Sequence, residues 1–306
     1  MKNFDSIVIL GPTASGKTKL AVQLAGRLNS EIISIDSRMV YKHLNIGTGK
    51  DLGDYFFNNM PIPYHLIDVC EPEDNYHIYQ FQQDFKIAKN ELINKGKLPI
   101  LCGGSGMYLE AVIKDYTYTG IPGNPHLQCL LETFTLTELQ EKFEQLPHHY
   151  FKDTADLGSK KRAIRALIIL NYLIENPSFY IPESIPLCPL ILGLNPSITD
   201  RKNKIINRLK QRIETGLIEE VDSLLKAGIS AEKLISLGLE YKFITKYITG
   251  EIDKENMIEL LQIAIQQFAK RQMTYFRKME KSGLKIHWLT EENHAFEILK
   301  QHNLGL

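Results

Sequence analysis

Gly11-Pro-Thr-Ala-Ser-Gly-Lys-Thr18 completes the pattern G-x-x-x-x-G-K-[ST]. The apolar run Ser6-Ile-Val-Ile-Leu10 precedes it, and Lys19-Leu-Ala-Val-Gln-Leu-Ala25 follows with helical spacing. Strand, glycine loop and helix therefore stand in the order a phosphate loop requires. The glycines let successive backbone N–H groups converge on one anion. The helix N-terminus adds a favourable dipole, Lys17 a positive charge and Thr18 a hydroxyl suited to Mg²⁺. The motif points to a phosphorylated ligand without saying what is done with it.

Outward from the loop, residues 1–115 alternate strand and helix signals. Glu31-Ile-Ile-Ser-Ile-Asp36 reads as a second strand ending in a carboxylate, Tyr79–Asn94 as a helix, and Leu98-Pro-Ile-Leu-Cys102 as a third strand closed by Gly103-Gly-Ser-Gly106. Such alternation implies an α/β fold with a parallel sheet covered by helices on both faces. Ligands gather at the carboxyl ends of such strands, so Gly11–Thr18, Asp36–Met39 and Gly103–Gly106 are expected in one crevice. The pattern changes at Ile121-Pro-Gly-Asn-Pro125, a turn cluster. Residues 126–176 look helical, Pro177 to Pro189 is irregular, Leu187–Leu194 reads as a return strand, and 200–280 is strongly helical. The expected organisation is a P-loop NTPase-like core over 1–118 and 188–306, interrupted by a small all-helical domain over 119–187.

Composition narrows the function. The chain has 306 residues, with 43% hydrophobic and 24% charged side chains and 36 basic against 36 acidic residues. A globally basic coat is absent, so any nucleic-acid site must be a local patch. Cys70, Cys102, Cys129 and Cys188 are widely spaced and read as buried free thiols rather than a zinc or disulfide framework. No apolar run has the roughly 20 residues a bilayer span needs. The N-terminus enters the phosphate loop directly and does not resemble a signal peptide. A cytoplasmic protein without a membrane partner is expected.

Several clusters could carry chemistry. Asp36, at a strand end beside the loop, could hold Mg²⁺, accept a proton or cap the next helix. Ile46-Gly-Thr-Gly-Lys50 is too short for a second phosphate loop. Three basic stripes lie on helices. Lys161 and Arg165 share one face, with Ala163, Ile164, Leu167 and Ile168 placed for packing. Arg201, Lys204, Arg208 and Arg212 line one side of the next, beside Ile205, Leu209 and Ile213. Lys270, Thr274 and Arg277 share a third face, with Arg271 and Lys278 on another. Any one stripe is an ordinary solvated face; three in a chain of zero net charge could contact the phosphates of a polyanion. His65, His148 and His149 lack metal-ligand spacing.

Seven segments then occur in order: residues 11–18, Asp36-Ser-Arg-Met-Val-Tyr-Lys42, Ile46-Gly-Thr-Gly-Lys50, His65-Leu-Ile-Asp68, Gly103-Gly-Ser-Gly-Met-Tyr-Leu109, Lys161-Arg-Ala-Ile-Arg-Ala-Leu167 and Arg271-Gln-Met-Thr-Tyr-Phe-Arg277. Together they resemble the tRNA dimethylallyltransferases, over nearly the whole chain. The resemblance implies transfer of a dimethylallyl group from dimethylallyl diphosphate to N6 of the adenine at tRNA position 37, beside the anticodon, by a Mg²⁺-dependent, usually monomeric enzyme. It implies diphosphate binding by Gly11, Pro12, Thr13, Ala14, Ser15, Gly16, Lys17 and Thr18, with Thr18 toward the metal. It implies catalysis by Asp36, Lys17, Thr18 and Arg208. Contacts to the anticodon stem-loop fall to Asp36, Ser37, Arg38, Met39, Ser105, Lys161, Arg162, Ala163, Ile164 and Arg165. The chain departs from the family pattern in three places: Ser105 replaces the usual Thr, Tyr275 the usual Trp, and Gly238-Leu-Glu-Tyr-Lys242 stands for Gly-Tyr-Lys-Glu. An adenylate isopentenyltransferase, a small-molecule P-loop kinase and a non-catalytic RNA-binding module are the competing readings.

Overall fold

Every residue of Ser6–Leu10 (β1) is buried, which fits a strand covered on both faces. In a computed structural model, describing residues 4–289 and 292–304, this strand lies inside a six-stranded sheet. The other members are Ile32–Ile35 (β2), Tyr64–His65 (β5), Ile100–Gly103 (β6), Pro189–Leu194 (β7) and Ile286–Leu289 (β8), in the order β5-β2-β6-β1-β7-β8. All pairings are parallel; Val8 sits between Leu101 and Ile191. A separate hairpin joins Phe56–Phe57 (β3) to Met60–Pro61 (β4).

Alternation along the strands divides the core. Ile7, Ile9, Ile32 and Ile100 face one layer with Leu20 and Leu24 of Lys17–Arg27 (α1) and Ile298 of Glu292–Gln301 (α12). Val8, Leu10, Ile33 and Leu101 face the other. There they meet Ile78–Asn94 (α2), Gly106–Lys114 (α3), Ile198–Glu214 (α7), Leu217–Lys226 (α8), Ala231–Ser236 (α9), Leu239–Ile248 (α10) and Lys254–Lys281 (α11). The long α11 starts where Asp253 accepts the Asn256 N–H at 2.8 Å. Its buried stripe Met257, Leu261, Ile265, Ala269, Met273 and Phe276 keeps helical spacing.

A second unit, Tyr116–Ile185, has its own core. It contains Pro125–Leu131 (α4), Leu136–Gln145 (α5) and Lys160–Glu175 (α6). Asn124 caps α4, with Pro at the first turn, and Thr135 and Glu138 close a capping box on α5. The junctions fall a few residues before the boundaries read from the turn clusters, the first where α3 ends at Asp115 in a left-handed conformation.

Two features differ from the sequence reading. Two strands, β5 and β8, extend the sheet beyond what alternation indicated: β5 has two residues, too few to show a period, and β8 is a short edge strand. Only Cys70 and Cys102 are buried, whereas the equally free Cys129 and Cys188 are exposed. Among the described residues no helix is long and apolar enough to cross a membrane.

Candidate active site

The loops after β1, β2 and β6 leave the carboxyl ends of three adjacent strands. Their proximity follows from the sheet order. One pocket is lined by Thr13, Lys17, Thr18, Asp36, Arg38, Met39, Gly103 and Gly104 from these loops, and by Arg208, Arg212, Glu240, Phe268 and Gln272 from α7, α10 and α11. Gly16 enters α1 with φ +90°, a conformation glycine adopts without strain. The ammonium of Lys17 donates to Pro12 O at 2.8 Å. Burial lowers its pKa to about 8, with Arg208 acting in the same direction against the opposing pull of Cys102 and Asp36. Ser15 Oγ is buried with no hydrogen-bond partner among the described residues. A buried hydroxyl in a cradle of backbone N–H groups suits an anionic ligand.

Gln272 fixes the loop from the far side of the chain. Its Oε1 accepts the Thr13 N–H at 2.8 Å, and its Nε2 donates to Gly104 O at 2.9 Å. One buried amide therefore ties the β1 and β6 loops together. Sequence reading passed over it, although a Gln between Ala269 and Phe276 on the buried stripe of α11 is a signal that a partner must exist. Gln272→Ala is expected to lower stability by about 1–3 kcal/mol, because it leaves two backbone groups unsatisfied. A urea midpoint equal to the parent's would rule out this tether.

Asp36 follows β2 and its Oδ1 accepts the Arg38 N–H at 2.9 Å. The carboxylate thus shapes a turn and caps no helix. Ser105 Oγ accepts the Ser37 N–H at 3.2 Å, and Ser34 Oγ donates to Met39 Sδ at 3.6 Å. Behind this segment, Glu220 accepts three consecutive N–H groups, of Asn45, Ile46 and Gly47, at 2.7–3.0 Å. Tyr241 also donates to Glu220, at 2.8 Å. Buried Lys50 donates to Tyr41 O at 2.6 Å and pairs with Asp68. Ile46–Lys50 is therefore a rigid shelf, with Thr48 and Gly49 facing the pocket.

Charge on the other wall comes from α7. Arg208 donates to Asp51 at 2.8 Å. Glu240 holds Arg38 at 2.9 Å through one oxygen and Arg212 at 3.4 Å through the other. Burial works against the Arg38 charge, but Glu240 and Asp36 more than offset it and raise its pKa. The basic stripe read on α7 thus divides: Arg208 and Arg212 line the pocket, while Lys204 is exposed. Glu240 carries no site signal in the sequence and Arg212 only that of its stripe, because their partners lie far away in sequence.

In the helical unit, Lys161 and Arg162 are exposed at the start of α6, and Arg162 pairs with Asp156 at 2.7 Å. Arg165 donates to Ile121 O at 2.6 Å and Pro122 O at 3.2 Å. Ala163 and Ile164 are buried in that unit's core. Their helical position turns both side chains inward, while Lys161 and Arg162 face solvent and Arg165 is half-buried.

The family profile described as IPP transferase matches residues 39–279, and one described as isopentenyl transferase matches residues 5–61. The chain is 47% identical over 289 residues to tRNA dimethylallyltransferase 1 of Parabacteroides distasonis, covering 94% of this chain and 93% of the relative. It is 49% identical over 284 residues to tRNA dimethylallyltransferase 2 of Porphyromonas gingivalis, covering 92% and 93%. Among solved structures, the full-length tRNA isopentenylpyrophosphate transferase of Bacillus halodurans superposes with a TM-score of 0.68 at 30% identity, covering 98% of this chain and 95% of the other.

Proposed function

The chain belongs to the IPP transferase family, and from that premise we propose that it transfers a dimethylallyl group from dimethylallyl diphosphate to N6 of the adenine at tRNA position 37. The single observation that carries this reading is the convergence of a phosphate loop, the Asp36 carboxylate and Arg208 on one pocket. The loop N–H groups and Lys17 hold the diphosphate, and Arg208 approaches from the opposite wall. Leu239, Ile265 and Phe268 supply apolar lining that shields the allylic carbon from water.

Adenine N6 is a weak nucleophile, because its lone pair is delocalised into the ring. As the N6–C1 bond forms, the C1–O bond to diphosphate breaks and the departing oxygen gains charge. Lys17, Arg208 and the loop dipoles stabilise that charge. Asp36 accepts the proton lost from N6. The turn through Arg38 N–H fixes its carboxylate, and Glu240 fixes Arg38. A buried base must leave its stack to reach this point, so the anticodon loop is opened on binding. Ser37 to Met39 and Ser105 meet the target nucleotide, and the exposed Lys161 and Arg162 contact the tRNA backbone. The reaction takes place in the cytoplasm, with the enzyme as a monomer.

The donor set fits Mg²⁺. The Thr18 hydroxyl is a hard oxygen group on the diphosphate loop, and no cluster of three or more His, Cys, Asp or Glu suited to a metal occurs among the described residues. That is the sparse protein contribution Mg²⁺ accepts when phosphate oxygens and water complete its shell. Bound there, it supplies charge neutralisation on the diphosphate.

Labelled dimethylallyl diphosphate, Mg²⁺ and unmodified tRNA test the reading. Label is expected in isopentenyladenosine after nuclease digestion. Label appearing only on AMP, or ATP turnover without transfer, would reject it. The pH dependence gives a separate check. Above pH 8 free Lys17 loses its proton, so binding inorganic diphosphate requires proton uptake. At pH 9 affinity is expected to fall about tenfold relative to that at pH 7, after division by the same ratio for Lys17→Met. Parent and variant changing in parallel would remove Lys17 from the anion site.

A further inference from the structure

We propose that Arg212 is a second guanidinium for the donor's diphosphate, acting beside Arg208 and held in position by Glu240. This deepens the assignment of the pocket to a diphosphate ester and rests on it.

The Arg212 side chain is only 11% exposed. Its Nη1 donates to Glu240 at 3.4 Å, yet its buried Nε and Nη2 have no hydrogen-bond partner among the described residues. Buried donors of this kind are costly unless they gain an acceptor. If the arginine served only to pair with Glu240, it would be expected to give that carboxylate its full fork, two parallel N–H···O bonds. It instead shares Glu240 with Arg38, so a single carboxylate stands between two guanidinium groups.

The orientation of the remaining N–H groups is informative. A methyl group added to Gly49 would lie 1.8 Å from Arg212 Nη2 and 2.4 Å from Arg208 Nη2. The two cations therefore close on the same point of the shelf that Glu220 fixes. Asp51 is 2.8 Å from Arg208 but 3.9 Å from Arg212, so it compensates the first far better than the second. Burial and the neighbouring Arg208 lower the Arg212 pKa to about 10, against the pull of Glu240 and Asp51. Two guanidinium groups brought this close repel each other, and Asp51, close to Arg208 but 3.9 Å from Arg212, offsets that repulsion only in part.

Charge balance supports the same reading. Lys17, Arg38, Arg208 and Arg212 line the pocket with Asp36 and Glu240, and Asp51 pairs with Arg208 at its edge, so one positive charge is left over. The excess is positive, and a diphosphate is the part of the donor that can neutralise it. Gly49 has φ +72° and no side chain, which lets both guanidinium groups rest on the shelf without a clash.

Titration with inorganic diphosphate and Mg²⁺, followed by heat of binding, tests the proposal. Arg212→Met is expected to weaken binding about 10- to 100-fold. The KM for dimethylallyl diphosphate rises with it, while affinity for unmodified tRNA stays within about twofold. Arg212→Lys keeps a buried charge for Glu240 but loses the planar fork, and is expected to bind diphosphate about three- to tenfold more weakly. That variant decides the matter if the methionine substitution does not fold. A variant of either kind, folded and binding diphosphate as tightly as the parent, would overturn the role of Arg212. A parent that binds diphosphate through Arg212 yet transfers nothing to tRNA would defeat the proposed function and leave this inference standing.

Discussion

Asp36→Ala is expected to reduce kcat about 10²- to 10⁴-fold, the range typical of a positioned general base. The effect belongs to kcat because N6 must lose a proton as its bond to carbon forms, whereas neither substrate needs that carboxylate for its charge. Diphosphate binding should hold or improve slightly, since a negative group leaves the pocket. The turn itself loses one hydrogen bond, from Arg38 N–H, and Asp36→Asn isolates that contribution. The asparagine retains an acceptor for the turn but cannot take up the proton. Both variants falling alike assigns the loss to chemistry. Asparagine at the parent rate would instead make Asp36 a turn-former only, and the base would have to be sought elsewhere.

Lys17→Met is the second large effect. In the proposed mechanism the ammonium meets charge that grows on the leaving diphosphate, so its removal is expected to lower kcat/KM for dimethylallyl diphosphate by about 10²- to 10³-fold, comparable to loss of one oxyanion-hole donor. Stability should move the other way. Burial lowers the folded-state pKa from 10.5 to about 8, so the folded chain carries a penalty for the charged lysine. That penalty is present in full below pH 8 and disappears as pH rises toward 10.5. At pH 7 the methionine variant is therefore expected to unfold at or above the urea concentration of the parent. Loss of both activity and stability would show that Lys17 acts by holding the loop through Pro12 O, not by meeting the diphosphate.

Much of the core fold was legible because its strands are apolar runs ended by Gly, Asp or Asn-Pro. β1, β2, β6 and β7 are of this type, and burial on both faces leaves little ambiguity. α11 was legible only as part of the helical stretch 200–280. β8, Ile-His-Trp-Leu, escaped because it is a short edge strand with half-exposed His287 and Trp288. Three loops of the pocket were placed together because the carboxyl ends of parallel strands leave few alternatives. Their supports were not. Gln272 reaches Thr13 across 259 positions and Glu240 reaches Arg38 across 202, separations over which no local pattern extends. Ala163 and Ile164 show the converse limit: a motif marks a segment, and only helix geometry decides which of its side chains are buried.

The central claim is that the loop before Lys17 grips the diphosphate of a prenyl donor and turns its allylic carbon toward Asp36. A crystal of the protein soaked with a non-reactive thiolodiphosphate analogue of dimethylallyl diphosphate tests this directly. The expected density has the diphosphate against the 11–18 backbone, Lys17 and Arg208, and the five-carbon tail extending to the Asp36 side of the pocket. An analogue bound elsewhere, or lying in the loop with its tail walled off from Asp36, would contradict the claim.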